Sequence, residues 1–279
     1  MSLFASIKSQ NTSDSLRIGV CFSGGGALGF AHIGAIQALN DYGIFPDEIS
    51  GASMGSIVGS MVASGYTPAQ ILAIIQQEKM YKTTKILNII SAPLWRKSGI
   101  SNHNALRKVL REHVPSNSFE GLKMPLYISV TNLLTGNYEI ISSGDSLDLW
   151  VAASASIPGI FENIKIRDNY YCDGGLLNNM PVQPLTENCN LIIGIDVVPY
   201  LPKEDELNNT LNAFLFAIRL AEHNNAKAGR ALCDHIIDIP AISTFHEFSF
   251  AHYDLIYQYG YDAVEEYIKI HPELDLKNK

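Results

Sequence analysis

A serine with glycine two residues to either side, Gly51-Ala52-Ser53-Met54-Gly55, stands where a short β-rich run gives way to a helix-forming one. In a strand-turn-helix setting this G-x-S-x-G spacing is a nucleophile elbow. The serine sits exposed on a strained turn at the tip of a sheet, and the flanking glycines avoid clashes with the neighbouring strand and helix. The pentapeptide alone is a weak signal, because small residues at tight turns are common. Serine becomes a useful nucleophile only when a base removes its proton, and the tetrahedral intermediate then carries an oxyanion that preorganised N–H donors must meet. Three consecutive glycines, Gly24, Gly25 and Gly26, supply such donors ahead of a second helical run. Without a Cβ their amides can turn toward one point, and the helix N-terminus that follows favours negative charge.

The same loop admits another reading. Gly24, Gly26 and Gly29 spell G-x-G-x-x-G, the fingerprint of dinucleotide binding. That fold also needs an acidic residue about 20 positions on, at the far end of the second strand, to hold the ribose. Here Asp47 and Glu48 come before that strand rather than after it, and the strand ends at Ser53 instead. A base must come from elsewhere in the chain. In Tyr170–Val182, YYCDGGLLNNMPV, Asp173 ends a β-like run and Gly174-Gly175 follows. Taken alone this is a turn, where Asp-Gly is frequent; beside the two glycine-containing motifs it becomes a candidate base.

The elements that must position these residues alternate along the chain. A strand is expected over Arg17–Phe22, an amphipathic helix over Ala27–Tyr42, a short strand near Glu48–Ser50 and a helix over Met54–Ala63. Thr67 and Pro68 cap and start a further helix through Glu78. Leu126–Asn132 and Tyr138–Ser142 bracket a turn at Thr135-Gly136-Asn137. Leu191–Val198 is continuously apolar, as a strand buried on both faces should be, and Ile236–Ile239 is a last strand. Long helices are expected over Leu211–Ala228 and Tyr253–Ile270. Such alternation implies a mostly parallel sheet covered by helices.

Composition narrows the partners. With 279 residues and 47% hydrophobic content the chain can bury a sizeable core. A net charge of −8 argues against nucleic acid, whose phosphates need a basic surface. Cys21, Cys172, Cys189 and Cys233 form no C-x-x-C pair, so no zinc or redox site is signalled, and a reducing compartment suits them. There is no secretory signal and no apolar run of spanning length. The expectation is a soluble cytoplasmic protein, peripheral to a membrane at most.

Gly24-Gly25-Gly26 before a helix, Gly51-x-Ser53-x-Gly55, then Asp173-Gly174-Gly175 with Asn179-x-Pro181, in that order, resemble the patatin-like phospholipase family. AHIGAIQAL after the glycine loop and ASASIPGIFENI ahead of Asp173 are similar too. The resemblance is close over about Arg17–Pro199 and looser beyond, where YDLIYQYGYDAVEEY is similar to the family's closing helix. It implies a three-layer α/β/α fold with a mostly parallel central sheet, as a single catalytic domain over residues 17–279 behind a polar lead-in, 1–16. It implies a lipid acyl hydrolase using a Ser-Asp dyad without histidine, metal or cofactor, in which Ser53 is the nucleophile, Asp173 the base and the amides of Gly24, Gly25 and Gly26 the oxyanion hole. One position departs from the family: Leu28 stands where members commonly carry Arg or Lys.

Other residues offer parts of the same chemistry. A triad of the α/β-hydrolase kind wants a late histidine, and His235, His246 or His252 qualify by order alone. His32 and Asp196 suit packing and capping, and Asn178 and Asn179 suit fixing the turn around Asp173. From Lys79 to Arg111 there are eight basic residues and no Asp or Glu, leaving 12 Lys and Arg against 28 acids elsewhere. Basic side chains beside Ile89, Ile90, Leu94 and Trp95 are what an interfacial segment needs for transient membrane contact, although a solvated helix with an apolar core side fits the same pattern. Alternative activities are a carboxylesterase or thioesterase on small soluble acyl substrates, a nucleotide-binding protein, and a non-catalytic lipid binder.

Overall fold

The computed structural model describes residues 15–78, 103–114, 116–198 and 210–278. Its elements run β1 (Ile18–Phe22), α1 (Phe30–Asp41), β2 (Glu48–Ala52), α2 (Met54–Ala63), α3 (Pro68–Gln77), α4 (Asn104–His113), β3 (Leu126–Asn132) and β4 (Asn137–Ile141). They continue through α5 (Leu147–Ser154), β5 (Ile164–Ile166), β6 (Asn169–Asp173), β7 (Leu191–Asp196), α6 (Thr210–Arg230), β8 (His235–Asp238) and α7 (Tyr253–Ile270). One sheet holds all eight strands in the order β5-β6-β3-β2-β1-β7-β8, with β4 also paired to β3. Its centre, from β3 to β8, is parallel; β4, β5 and β6 add antiparallel pairs at one side.

Alternation along the central strands separates two cores. In β1, Ile18, Val20 and Phe22 face the larger core, which includes Ile33, Ile36 and Leu39 of α1, Val58 and Met61 of α2, and Ile256 and Val264 of α7. Cys21 faces the smaller core with Met180, Val182, Leu185, Ile192 and Ala226. Side chains of successive strand residues point to opposite faces, so helices cover both sides and the architecture is the expected α/β/α. Local chemistry accounts for several boundaries. Thr67 and Gln70 form a reciprocal capping box, with Pro68 in the first turn of α3. Gly26–Gly29 is a 3-10 turn, so α1 starts at Phe30, later than the apolar periodicity indicates.

Register brings the distant motifs together. Ala52 in β2 lies opposite Ser129 in β3, and the next residue of β3, Val130, lies opposite Asp173 in β6. Ser53 and Asp173 therefore emerge at one level on either side of β3. The glycine loop leaves β1 at the same rim, the carboxyl end of the parallel strands, where open α/β sheets place their ligands.

Candidate active site

Ser53 occupies the turn between β2 and α2 at φ 50 and ψ −123, a backbone conformation costly for any residue but glycine. The turn is held from several directions. The Ser53 N–H donates to Ser154 Oγ (2.9 Å), which in turn donates to the Ser129 carbonyl (2.7 Å). The Ser53 carbonyl accepts from Ser56 Oγ at 2.7 Å. Gly55 is required because a Cβ there would run into the carbonyl oxygens of Phe22 and Ser23, at the end of β1.

The Ser53 hydroxyl donates to Asp173 Oδ2 at 2.7 Å. Asp173 Oδ1 accepts from the Gly175 N–H at 2.8 Å, while its own backbone is fixed by the Ser156 carbonyl and by Thr131 Oγ1. The carboxyl is buried, and burial lifts it from the usual aspartate range to about 7 against the two hydrogen bonds, which favour its ionised form. A carboxyl that titrates there is matched to taking a proton near neutrality.

The three glycines divide. Gly25 (φ 146) and Gly26 (φ 56) adopt positive φ values open to glycine, and neither of their N–H groups has a hydrogen-bond partner among the described residues. Gly24 differs from the expectation: its N–H donates to Asn179 Oδ1 at 2.9 Å and is not free to meet an oxyanion. Asn179 is itself anchored, its N–H donating to Asn225 Oδ1 at 2.6 Å. The turn after Asp173 thus fixes the glycine loop directly. The N-x-P motif places Asn179 near that turn, but nothing in the sequence pairs it with Gly24.

The sequence profile of the patatin-like phospholipases matches residues 20–186, which is more than half of the chain and includes the glycine loop, the elbow and Asp173. The chain belongs to the patatin-like phospholipase family. An uncharacterized NTE family protein of Mycobacterium tuberculosis is 31% identical over 186 residues, 66% of this chain and 50% of that protein. Lysophospholipase NTE1 of Kluyveromyces lactis is 28% identical over 183 residues, 64% of this chain but 12% of the yeast protein. The chain thus spans half the length of the first relative and a small part of the second. Among solved structures, VipD from Legionella pneumophila superposes with a TM-score of 0.51 at 17% identity, covering 93% of this chain and 68% of that one, a likeness of fold.

Within this patatin-like frame the remaining candidates have structural places. Leu28, at the position that often carries a cation in the family, is buried in the larger core. A cation does lie near the glycine loop, from α6: Arg219 lines a depression with Gly25, Glu222 and Glu247, and forms a two-pronged ion pair with Glu247. His32 is buried with Nε2 2.8 Å from the Ser23 carbonyl, and burial lowers it to about 4, so it stays neutral beneath the loop. His235 pairs with Tyr267 Oη, and His252 packs on Phe245. Asp196 is bound by Arg230 at 2.7 Å and caps the Val198 N–H. Asp47 and Glu48, at the opposite end of the sheet, hold the Ile18 N–H and Arg17 respectively. Neither is placed to hold a ribose at the glycine loop.

Most of the basic segment, residues 79–102, lies outside the described residues. Of its described part, Arg107 and Arg111 both pair with buried Asp148, and Lys108 pairs with Glu112. Two of the eight positive charges therefore hold α4 to α5. Among the described residues no single helix is long and apolar enough to cross a membrane; α2 and α3 pass such a test only together, bent by 120°.

Proposed function

We propose that this chain hydrolyses fatty-acyl esters of phospholipids or lysophospholipids through a Ser53–Asp173 dyad and an acyl-enzyme. The observation that carries the reading is the 2.7 Å hydrogen bond from Ser53 Oγ to Asp173 Oδ2. As Ser53 Oγ attacks the ester carbonyl, Asp173 takes its proton, and the oxyanion is met by the N–H groups of Gly25 and Gly26. Gly24 serves the loop's shape instead. Collapse of the intermediate breaks the acyl–oxygen bond, and the proton on Asp173 passes to the departing alcohol. Water, deprotonated by Asp173, then attacks the acyl-enzyme; the fatty acid leaves and Ser53 regains its proton. No step calls for a metal or cofactor.

An apolar depression beside α2 supports a fatty-acyl substrate. It is lined by Met54, the residue after Ser53, by Ile57, Val58 and Met61 of α2, and by Ile71 and Leu106. Its lining matches an alkyl chain far better than a small polar acyl group. Membrane contact through Lys79–Arg111 belongs to the same proposal, since lipid esters reside in aggregates.

Fatty-acid release from phosphatidylcholine and lysophosphatidylcholine vesicles, measured by mass spectrometry, tests the reading. Wild type should release acid and Ser53→Ala should not. Release from short soluble esters alone would favour a general esterase, and release by Ser53→Ala would remove Ser53 from the chemistry.

A further inference from the structure

A second carboxyl group shares the space around Asp173. Glu222, on α6, is only 6% exposed and lines the depression that reaches Gly25. Its position is defined by Gly175: the point where a Cβ on that glycine would stand lies 3.0 Å from Glu222 Oε1, 3.1 Å from Asp173 Oδ1 and 2.7 Å from Asn179 Oδ1. Glu222 is thus brought against the turn that carries the base and against the asparagine that holds the glycine loop.

Two carboxylates confined in one buried space do not both ionise readily. Asp173 has the better claim to the charge, because the Ser53 hydroxyl and the Gly175 N–H both donate to it. Glu222 is driven the other way. Burial raises it well above the glutamate range; the charges of Asp173 on β6, Glu247 beyond β8 and Asp196 on β7 push in the same direction, and Arg219 on its own helix opposes them. Arg219 is engaged by Glu247 in the two-pronged pair.

We infer that Glu222 is a positioning residue of the dyad: as the neutral acid it leaves Asp173 the one negative charge of this cluster that is not balanced by an arginine among the described residues, Glu247 and Asp196 being paired with Arg219 and Arg230, and its ionisation sets the alkaline limit of catalysis. The inference rests on the dyad reading above. A further, unbalanced negative charge beside the glycine loop would oppose the oxyanion that Gly25 and Gly26 must receive, so activity falls as Glu222 loses its proton.

The test is the pH profile of kcat/KM for the full chain on a soluble p-nitrophenyl ester, each variant scaled to its own maximum. Wild type should rise as Asp173 ionises and fall on the alkaline side, by about tenfold per pH unit once an essential acid is lost. Glu222→Gln, neutral at every pH, should keep the acid limb and lose the alkaline fall, and Glu222→Asp should restore a fall. A wild-type profile flat to about pH 9.5, or an alkaline fall that survives Glu222→Gln, overturns the inference. Should Glu222→Gln not fold, or should wild type cleave no ester, ¹³C-carboxyl NMR of the wild-type chain decides independently of turnover. One glutamate still protonated at pH 7 supports the inference, and ionisation of every glutamate overturns it. Loss of all ester hydrolysis alongside that protonated glutamate would count against the dyad reading alone.

Discussion

Replacing Asp173 by asparagine should make the protein more stable at alkaline pH while removing its activity. The carboxyl titrates near 7 in the folded chain against 3.8 for an unburied aspartate. Its folded value is raised, so between those two values the folded chain holds a proton that the unfolded chain has lost, and stability falls as pH rises through that window. The stability is fully present below about pH 4 and is lost progressively up to about pH 7, at ~1.4 kcal/mol per unit. Three units or so amount to ~4 kcal/mol at pH 8. Asparagine keeps the shape and has no charge to desolvate. At about 2–4 °C per kcal/mol for a chain of this size, Asp173→Asn should melt roughly 8–16 °C above wild type at pH 8, with the gap closing toward pH 4. Differential scanning fluorimetry in matched buffers measures both. Equal melting temperatures at pH 8, or a gap that stays constant down to pH 4, would refute the claim that the ionised base is held at a cost in stability.

Ser53→Gly and Ser53→Ala should both be inactive, but glycine relieves a backbone at φ 50 that costs about 1–3 kcal/mol for other residues, so it should melt several degrees above alanine. The reverse order would mean that the elbow is unstrained. Gly25→Ala combines a φ of 146 with a Cβ 2.8 Å from Val197 Cγ2, and should lower kcat by about 10²–10³ with a smaller change in KM. A change confined to KM would make the loop a substrate-binding rather than an oxyanion element. Changing Lys82, Lys85, Arg96 and Lys97 to glutamate should weaken binding to anionic vesicles more than turnover of a soluble ester, because each basic residue contributes about 1 kcal/mol near such a surface. Unchanged vesicle binding would assign the segment to the fold.

The sequence carried the parts of the site that depend on local geometry. The elbow at Ser53 and the turn at Asp173 each need glycine at fixed offsets, and the β-rich and apolar runs around them mark the strands that deliver them. Contacts between distant segments left no such trace. Gly24 looks equivalent to Gly25 and Gly26 along the chain; only the packing of the Asp173 turn against the loop commits its amide to Asn179. Ser154, which bonds to the Ser53 N–H, is one small residue in a run of them, and Glu222 lies in a helix whose polar residues resemble any solvated face until Gly175 brings Asp173 beside it. The 3-10 turn over Gly26–Gly29 was hidden for another reason. Apolar periodicity reports which residues face the core, and Ala27 and Leu28 do so without being α-helical.

Covalent trapping tests the account's central claim most directly. The full chain would be treated with a fluorophosphonate, then digested, and the modified residue located by tandem mass spectrometry. The account predicts a single adduct on Ser53, absent from Ser53→Ala and strongly slowed in Asp173→Asn. An adduct on another residue, or labelling of Ser53 at an undiminished rate in Asp173→Asn, would contradict a nucleophile activated by that carboxylate.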